Sequence, residues 1–527
     1  MARDSDSIQI KKELYQHVYG HVLQRWGSSE NEISTYRNEY NKLGKRQWKI
    51  ETRTSFFEQI EKAQVIVLGD FHSLQQSQKS HLRVVKNLRE ENFKFALECI
   101  ATEHQEVVDQ FVFEDLEEKE FLKKVHWKKN WGFPWEHFRD LFLYARQKRI
   151  RILALNSTKF MGFKDSMKKR DQLAAKIISK EIKKSSEKVI VIYGESHLTS
   201  KDFFKFPPRT KICKVFQNID EIYFKLMDLN KEDEVDVISF NPREFCLMNV
   251  PPWVKWQSYL MYLEKKYDYD LQSEGIDFTD YVAQYIHVIT KELKLNLSAK
   301  NLSVYTSEDF SFLKKMRDSL SLEEVNFYEL LIEEEKSFYI PDLGIGYLGR
   351  LTINHASSLA MQYVYLEILK VRKLNFSFPR DFTSLIWLEG IGYFGSKLIN
   401  PKRKTETIKD IKNKVLQFGV KDNDKEALKL ALYQRAKELM ILSGKNTIRS
   451  DLKSYKKSSY IQCANLLGSL IGEKLFKGYK NGFVRLDYLK RLLKKPIGTK
   501  GFDRFYYENL EIIENLPDTF KSKFEKL

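Results

Sequence analysis

The chain has 527 residues, 42% hydrophobic and 13% aromatic, with 89 basic and 72 acidic side chains for a net charge of +17. This composition excludes a disordered or collagen-like chain. At about 100–200 residues per domain, the length accommodates several packed domains.

The basic excess is spread thinly. Lys168-Lys169-Arg170, Lys402-Arg403-Lys404 and the run from Arg491 to Lys495 are interrupted by apolar residues, which predicts solvated helix faces. No helix-turn-helix, zinc-finger or RNA-binding signature accompanies them, so no nucleic-acid partner is expected. Cys99, Cys213, Cys246 and Cys463 form no CxxC pair and read as buried thiols of a reducing compartment. The stretch from Met1 to Ile8 lacks the apolar core of a secretory signal. The longest apolar stretch, Phe382–Ile399, holds Glu389 and several glycines and reads as a buried helix, so no membrane span is expected. These features together predict a cytoplasmic protein.

Residues 1–60 read as a polar helical extension with a loose apolar stripe at Ile8, Leu14, Val18 and Val22. From 61 to 245 strand and helix alternate. A strand over 65–68 leads to a helix from Leu74, with Ser73 placed to cap it. A second strand over 93–98 precedes a helix over 103–113. An aromatic segment follows, His126-Trp127 and Trp131-Gly132-Phe133-Pro134-Trp135, with Pro134 suited to a first helical turn. Further strands are expected over 151–155, 188–193, 212–216 and 235–240. The alternation predicts an α/β domain with a mostly parallel sheet flanked by helices. From 246 to 527 apolar residues recur mainly at three and four, which predicts a large α-helical domain. His287 and His355 there read as packed or satisfied side chains.

Two stretches share one form: Val65-Ile66-Val67-Leu68-Gly69-Asp70-Phe71-His72 and Val189-Ile190-Val191-Ile192-Tyr193-Gly194-Glu195-Ser196-His197. Each is a buried strand, then Gly, an acid, one residue and His. Open α/β sheets bind ligands at the C-terminal ends of their strands. That edge is expected to carry Asp70, His72, Glu98, Asn156, Glu195 and His197. Two imidazoles with carboxylates suit a divalent Zn, Mn, Fe or Co ion with an open position. The preferred ligands are His72 and His197 with one or both of Asp70 and Glu195, while Glu98 is either a ligand or the general base. An uncommitted carboxylate among Asp70 and Glu195 is a further catalytic candidate. Asn156 is equally ordinary turn chemistry. The aromatic segment either walls a flat apolar ligand or plugs the core. Arg170-Asp171, on a helix, reads as a surface ion pair, with an anion clamp as the alternative, and His81 reads as a surface residue.

The segment 65–198 resembles the ChaN-like, haem-binding-uptake branch of the Tiki superfamily, and more distantly TraB-type proteins and erythromycin esterases. The matching elements are Leu68-Gly69-Asp70-Phe71-His72, Ala96-Leu97-Glu98, the helix entry from Trp131 to Tyr144, Ile152-Leu153-Ala154-Leu155-Asn156, Arg170-Asp171 and Tyr193-Gly194-Glu195-Ser196-His197-Leu198. Three departures stand out. Asp70 replaces the usual Glu, Gln75, Gln76 and Gln78 stand where a run of histidines is common, and no lipoprotein signal precedes the domain. The Tiki-like members imply a metal-dependent hydrolase of an amide or ester, acting on a small-molecule or peptide substrate. The ChaN-like members imply haem as the alternative ligand, with His72, His197 or Tyr193 as axial ligand and Trp131 and its neighbours packing the porphyrin. A non-catalytic scaffold with a helical partner-binding module is the third expectation. A homo-oligomer is compatible with each.

Overall fold

The computed structural model describes residues 5–26, 31–89, 92–160, 166–268, 278–307, 309–416, 422–445 and 455–517. Two units pack separately, Tyr15–Leu263 and Met1–Leu14 with Glu264–Glu525.

In Tyr15–Leu263 the strands are β1 (Lys49–Ile50), β2 (Val65–Asp70), β3 (Phe93–Ala101), β4 (Ile152–Asn156), β5 (Lys188–Gly194), β6 (Ile212–Gln217), β7 (Val237–Asn241) and β8 (Glu244–Leu247). They form one sheet in the order β1-β7-β8-β6-β2-β5-β3-β4. The five strands from β6 through β4 are parallel, β8 joins β6 in parallel, and β7 runs antiparallel between β8 and β1. The mostly parallel sheet flanked by helices is therefore as expected. β8 and the two-residue β1 were not anticipated; both are too short to show a period.

Unbroken apolar runs make the central strands. All six residues of β2 are buried, as two covered sheet faces require. Ile66, Leu68, Phe95, Leu97, Ile190 and Ile192 share a core with Val108, Phe111, Phe138 and Phe142 from the helices Gln105–Phe113 and Trp135–Lys148. Trp127 and Trp135 belong to that core, so this part of the aromatic segment is a plug. The helix after β2 spans Gln75–Val85 with Leu74 at its cap, not Ser73, and no side chain caps it.

The other unit is mainly helical. The helices Phe382–Ile399 and Lys457–Lys480 cross at glycines: a Cβ on Gly468 would lie 2.7 Å from the Gly390 nitrogen and from the Ile386 carbonyl oxygen. Backbone therefore meets backbone at this crossing. Among the described residues no helix is long and apolar enough to cross a membrane. The large helical domain is as expected, and it also carries a three-stranded sheet, β9 (Ser303–Thr306), β10 (Phe338–Ile340) and β11 (Ile345–Leu348). Its strands are three or four residues long, too short to show a period. Lys402 is buried and Arg403 half-buried in the loop after Ile399, not on a solvated helix face.

Gly468→Ala should lower stability by about 1–3 kcal/mol, because backbone atoms must move to admit the methyl group; denaturant unfolding checks this. Burial, with Arg403, Arg350 and Lys336 nearby, lowers the His355 imidazole to about 3. Unfolded, that ring titrates near about 6.5. The contribution of the neutral ring is thus complete above the unfolded value and is lost as the pH falls toward the folded one. His355→Gln should show a shallower acid-side loss of stability in denaturation midpoints measured across that range.

Candidate functional site

The three central strands β2, β5 and β3 are neighbours, so their C-terminal ends converge. β2 pairs with β5 as far as Asp70 and Gly194, while β3 pairs with β5 only as far as Leu97 and Ile192. Beyond Leu97 the register of β3 against β4 shifts, and a bulge of this kind re-aims the side chains within it. Glu98 is the first residue past the break. Its carboxylate reaches across to accept a hydrogen bond from the Gly194 nitrogen.

His72 and His197 face this carboxylate from either side. His72 Nε2 lies 3.8 Å from Glu98 Oε2, and His197 Nε2 lies 3.8 Å from Glu98 Oε1. Each ring is held from behind. His72 Nδ1 donates to Asp70 Oδ2 at 2.6 Å, and His197 Nδ1 donates to Asp171 Oδ1 at 2.6 Å. A proton fixed on Nδ1 leaves the Nε2 lone pair directed at the centre. Gly194 is the floor: a Cβ there would stand 3.1 Å from Glu98 Oε2, 3.2 Å from His197 Cδ2 and 3.3 Å from His72 Nε2.

The anchors are themselves tied down. Asp70 accepts from Ser77 Oγ at 3.1 Å and from Gln78 Nε2, and Asp171 accepts from the Tyr36 hydroxyl at 2.7 Å. Arg170 Nη1 stands 3.6 Å from Glu98 Oε1. Burial opposes charge on His72, but the adjacent Asp70 carboxylate, their hydrogen bond and Glu98 hold the imidazole above its ordinary value. Asp70 mirrors this: burial would raise it, and His72 brings it below the usual carboxylate range.

Of the residues expected at the site, His72, Glu98 and His197 come together. Asp70 stands behind His72, with its carboxylate already engaged. Glu195 turns away: it accepts from the Gln217 nitrogen at 2.5 Å, and burial, countered by Lys255, pushes its carboxyl up to about 7. Asn156 ends the edge strand β4, where its Oδ1 accepts from the Ser157 nitrogen at 2.9 Å, the turn role weighed for it. Tyr193 is fully buried, edge-on to His197 at 4.9 Å, with a hydroxyl that finds no partner. Trp131 packs 4.5 Å from the His72 ring and Phe133 5.0 Å from it, with Tyr262 stacked on Phe133 at 4.3 Å.

Two surface readings give way. Asp171 is fully buried at His197, and Arg170 faces Glu98, so neither belongs to a surface ion pair. The charge run before them hid that the helix Ser166–Lys184 turns one face to β4 and β5. His81 is buried too, with Nε2 donating to the Gly69 carbonyl at 2.9 Å, and burial lowers it. Tyr36 had no signal at all in the sequence.

Among the described residues, no group of three or more His, Cys, Asp or Glu side chains stands ready to hold a metal ion. The atoms that face one another at the centre are the two Nε2 atoms and the Glu98 carboxylate, whose Oε2 also accepts from the Gly194 nitrogen. Tyr36→Phe removes a hydrogen bond to a buried carboxylate and should lower the stability of this unit by about 1.5–3 kcal/mol; denaturant unfolding against wild type checks it.

No curated protein and no solved structure matches the chain. A family model described as haem-binding uptake, Tiki superfamily, ChaN matches residues 56–161, which include Asp70, His72, Glu98, Trp131 and Asn156. That stretch of the α/β unit is therefore similar to ChaN-like domains of the Tiki superfamily.

Proposed function

We propose that the chain is a metal-dependent hydrolase of an amide or ester, with the ion held by His72, His197 and Glu98. The observation that carries this reading is the pair of Nε2 atoms, each backed by a carboxylate and each 3.8 Å from one oxygen of Glu98. With ligand bonds of about 2 Å, two ligands of one ion stand roughly 3–4 Å apart, and each imidazole's separation from Glu98 falls in that range. Imidazole with carboxylate suits Zn, Mn, Fe or Co. Asp70 and Asp171 are then orienting residues, and Glu195 lies outside the ligand set.

A bound ion of this class would lower the pKa of a coordinated water and polarise a carbonyl. The side chains do the rest. Asp70 and Asp171 keep both imidazoles in the tautomer that binds. Glu98 would serve as the general base, taking a proton from the attacking water and returning it to the leaving group. Arg170, beside Glu98, meets negative charge that develops on the substrate oxygen. Trp131, Phe133 and Tyr262 wall the His72 side and receive an apolar group of the substrate.

Haem is the second reading, favoured by that aromatic wall and by the description of the matching family. Tyr193 does not suit an axial role, being fully buried behind His197. His72, the more exposed imidazole, fits better.

His72→Ala and His197→Ala should each abolish stoichiometric metal, measured by elemental analysis of folded protein prepared without chelator. Metal content unchanged in either removes that residue from the site. Glu98→Gln should reduce hydrolysis of a responsive ester or peptide by about 10²–10⁴-fold. A Soret band that moves on His72→Ala would decide for haem.

A further inference from the structure

The basic excess, interrupted along each run, is unevenly placed in the helical unit. Residues 264–400 hold 20 acidic and 15 basic side chains. Between Glu473 and Asp503, by contrast, nine lysines and arginines accompany one acid, Asp487. That stretch comprises the end of the helix Lys457–Lys480, a tight turn, the helix Leu486–Leu492 and the loop leading to Phe502. The turn is closed by its backbone. The Asn481 and Gly482 nitrogens donate to the Lys477 and Tyr479 carbonyls at 3.0 and 3.1 Å, and the Val484 nitrogen to the Gly478 carbonyl at 2.9 Å. Val484 is buried against Gly478, where a Cβ would stand 2.7 Å from Val484 and 2.8 Å from Leu516. The residues on either side of Val484 are exposed: Phe483, at 60%, and Arg485. One turn before Leu516, the helix Phe502–Glu514 exposes Ile512 at 49%. Two large apolar side chains are thus left in water beside a well-ordered turn.

Cations accompany them. Among the described residues, Arg485, Lys490, Arg491, Lys494, Lys495 and Lys500 pair with no carboxylate. Lys490 Nζ donates to the Lys294 carbonyl at 3.0 Å, and the Arg491 guanidinium lies 5.7 Å from the centre of the Tyr488 ring. Arg485, Arg491, Lys494 and Lys500 are exposed. The Tyr488 hydroxyl donates to Asn509 Oδ1 at 2.8 Å, which ties the helix Leu486–Leu492 to the helix Phe502–Glu514. On the latter, Glu508 is taken by Arg504, and Glu514 by Arg435 and Lys474. Asp487, Asp503 and Glu511 are the exposed acids that meet no cation, so this surface stays net positive.

We propose that the turn 481–485 and the helix Leu486–Leu492 dock the helical unit on an anionic lipid surface. Phe483 and Ile512 enter the headgroup boundary, and Arg485, Arg491 and Lys494 meet the lipid phosphates and carboxylates. Unpaired cations call for a polyanion. The apolar pair decides which one: a phenylalanine can stack on a base, but an isoleucine offers no aromatic face and gains from hydrocarbon. The docking is peripheral and does not draw on the His72–Glu98–His197 site.

The test is co-sedimentation of the full chain with vesicles of phosphatidylserine and phosphatidylcholine in equal parts, and with phosphatidylcholine alone, at low and high salt. Saturable binding to the anionic vesicles is expected, weakened by salt and absent from the neutral ones. The combined variant Arg485→Gln, Arg491→Gln, Lys494→Gln should weaken it about tenfold or more. Phe483→Ser should weaken it several-fold and leave its salt dependence unchanged. These are surface changes, and circular dichroism checks that each variant is folded. No binding of the wild-type chain to anionic vesicles, or binding that either variant leaves unchanged, overturns the proposal. Retention of a labelled single-stranded RNA by a chain that ignores the vesicles overturns it in favour of a nucleic acid.

Discussion

Glu98 is a carboxylate drawn into the closed end of a parallel sheet, 3% exposed, where an isolated negative charge is expensive. Everything around it answers that constraint. The Gly194 nitrogen donates to it, Arg170 approaches one oxygen, and two imidazoles face it. Each imidazole brings its own buried carboxylate. Asp70 and Asp171 therefore need further donors, which Ser77, Gln78 and Tyr36 supply. Each buried carboxylate of the network is thus matched by donors, and the two Nε2 atoms are turned to its centre.

Placement follows from topology. The site draws on β2, β3 and β5, strands separated in sequence but adjacent in the sheet, and each contributes at its C-terminal end. The bulge after Leu97 turns Glu98 toward the β5 end. Gly194 keeps the floor free of side chain, so the two rings approach the carboxylate closely. The aromatic segment contributes on two levels. Trp127 and Trp135 fill the core, while Trp131 and Phe133 press on His72.

The strands that carry the site were legible because unbroken β-branched runs have few other readings in a soluble domain. The repeated Gly-acid-x-His pattern brought out His72 and His197, and the strand-end position brought out Glu98. The orienting partners were not legible in the same way. Asp171 and Arg170 sit among lysines on an amphipathic helix, where composition favours solvent. His81 has Lys79 and Arg83 as sequence neighbours, yet the fold turns it under β2. Asp70 and Glu195 occupy equivalent places in their motifs, but one backs an imidazole and the other turns to Gln217. Such differences depend on what lies across the strand end, which a single sequence does not record. In the helical half, the three-stranded sheet was hidden by strands shorter than any detectable period.

Tyr36 lies twenty residues before the stretch that matches the ChaN family, and Asp171 and His197 lie after it. Yet these three form one continuous relay of hydrogen bonds into the site. The stretch matched by the family model and the hydrogen-bonded cluster therefore have different borders. The matched stretch contributes one side of the cluster, β2 with His72 and β3 with Glu98. The other side, His197 with Asp171 and Tyr36, comes from segments outside that stretch, so a change as remote in sequence as Tyr36 is felt at Glu98 through two side chains in series.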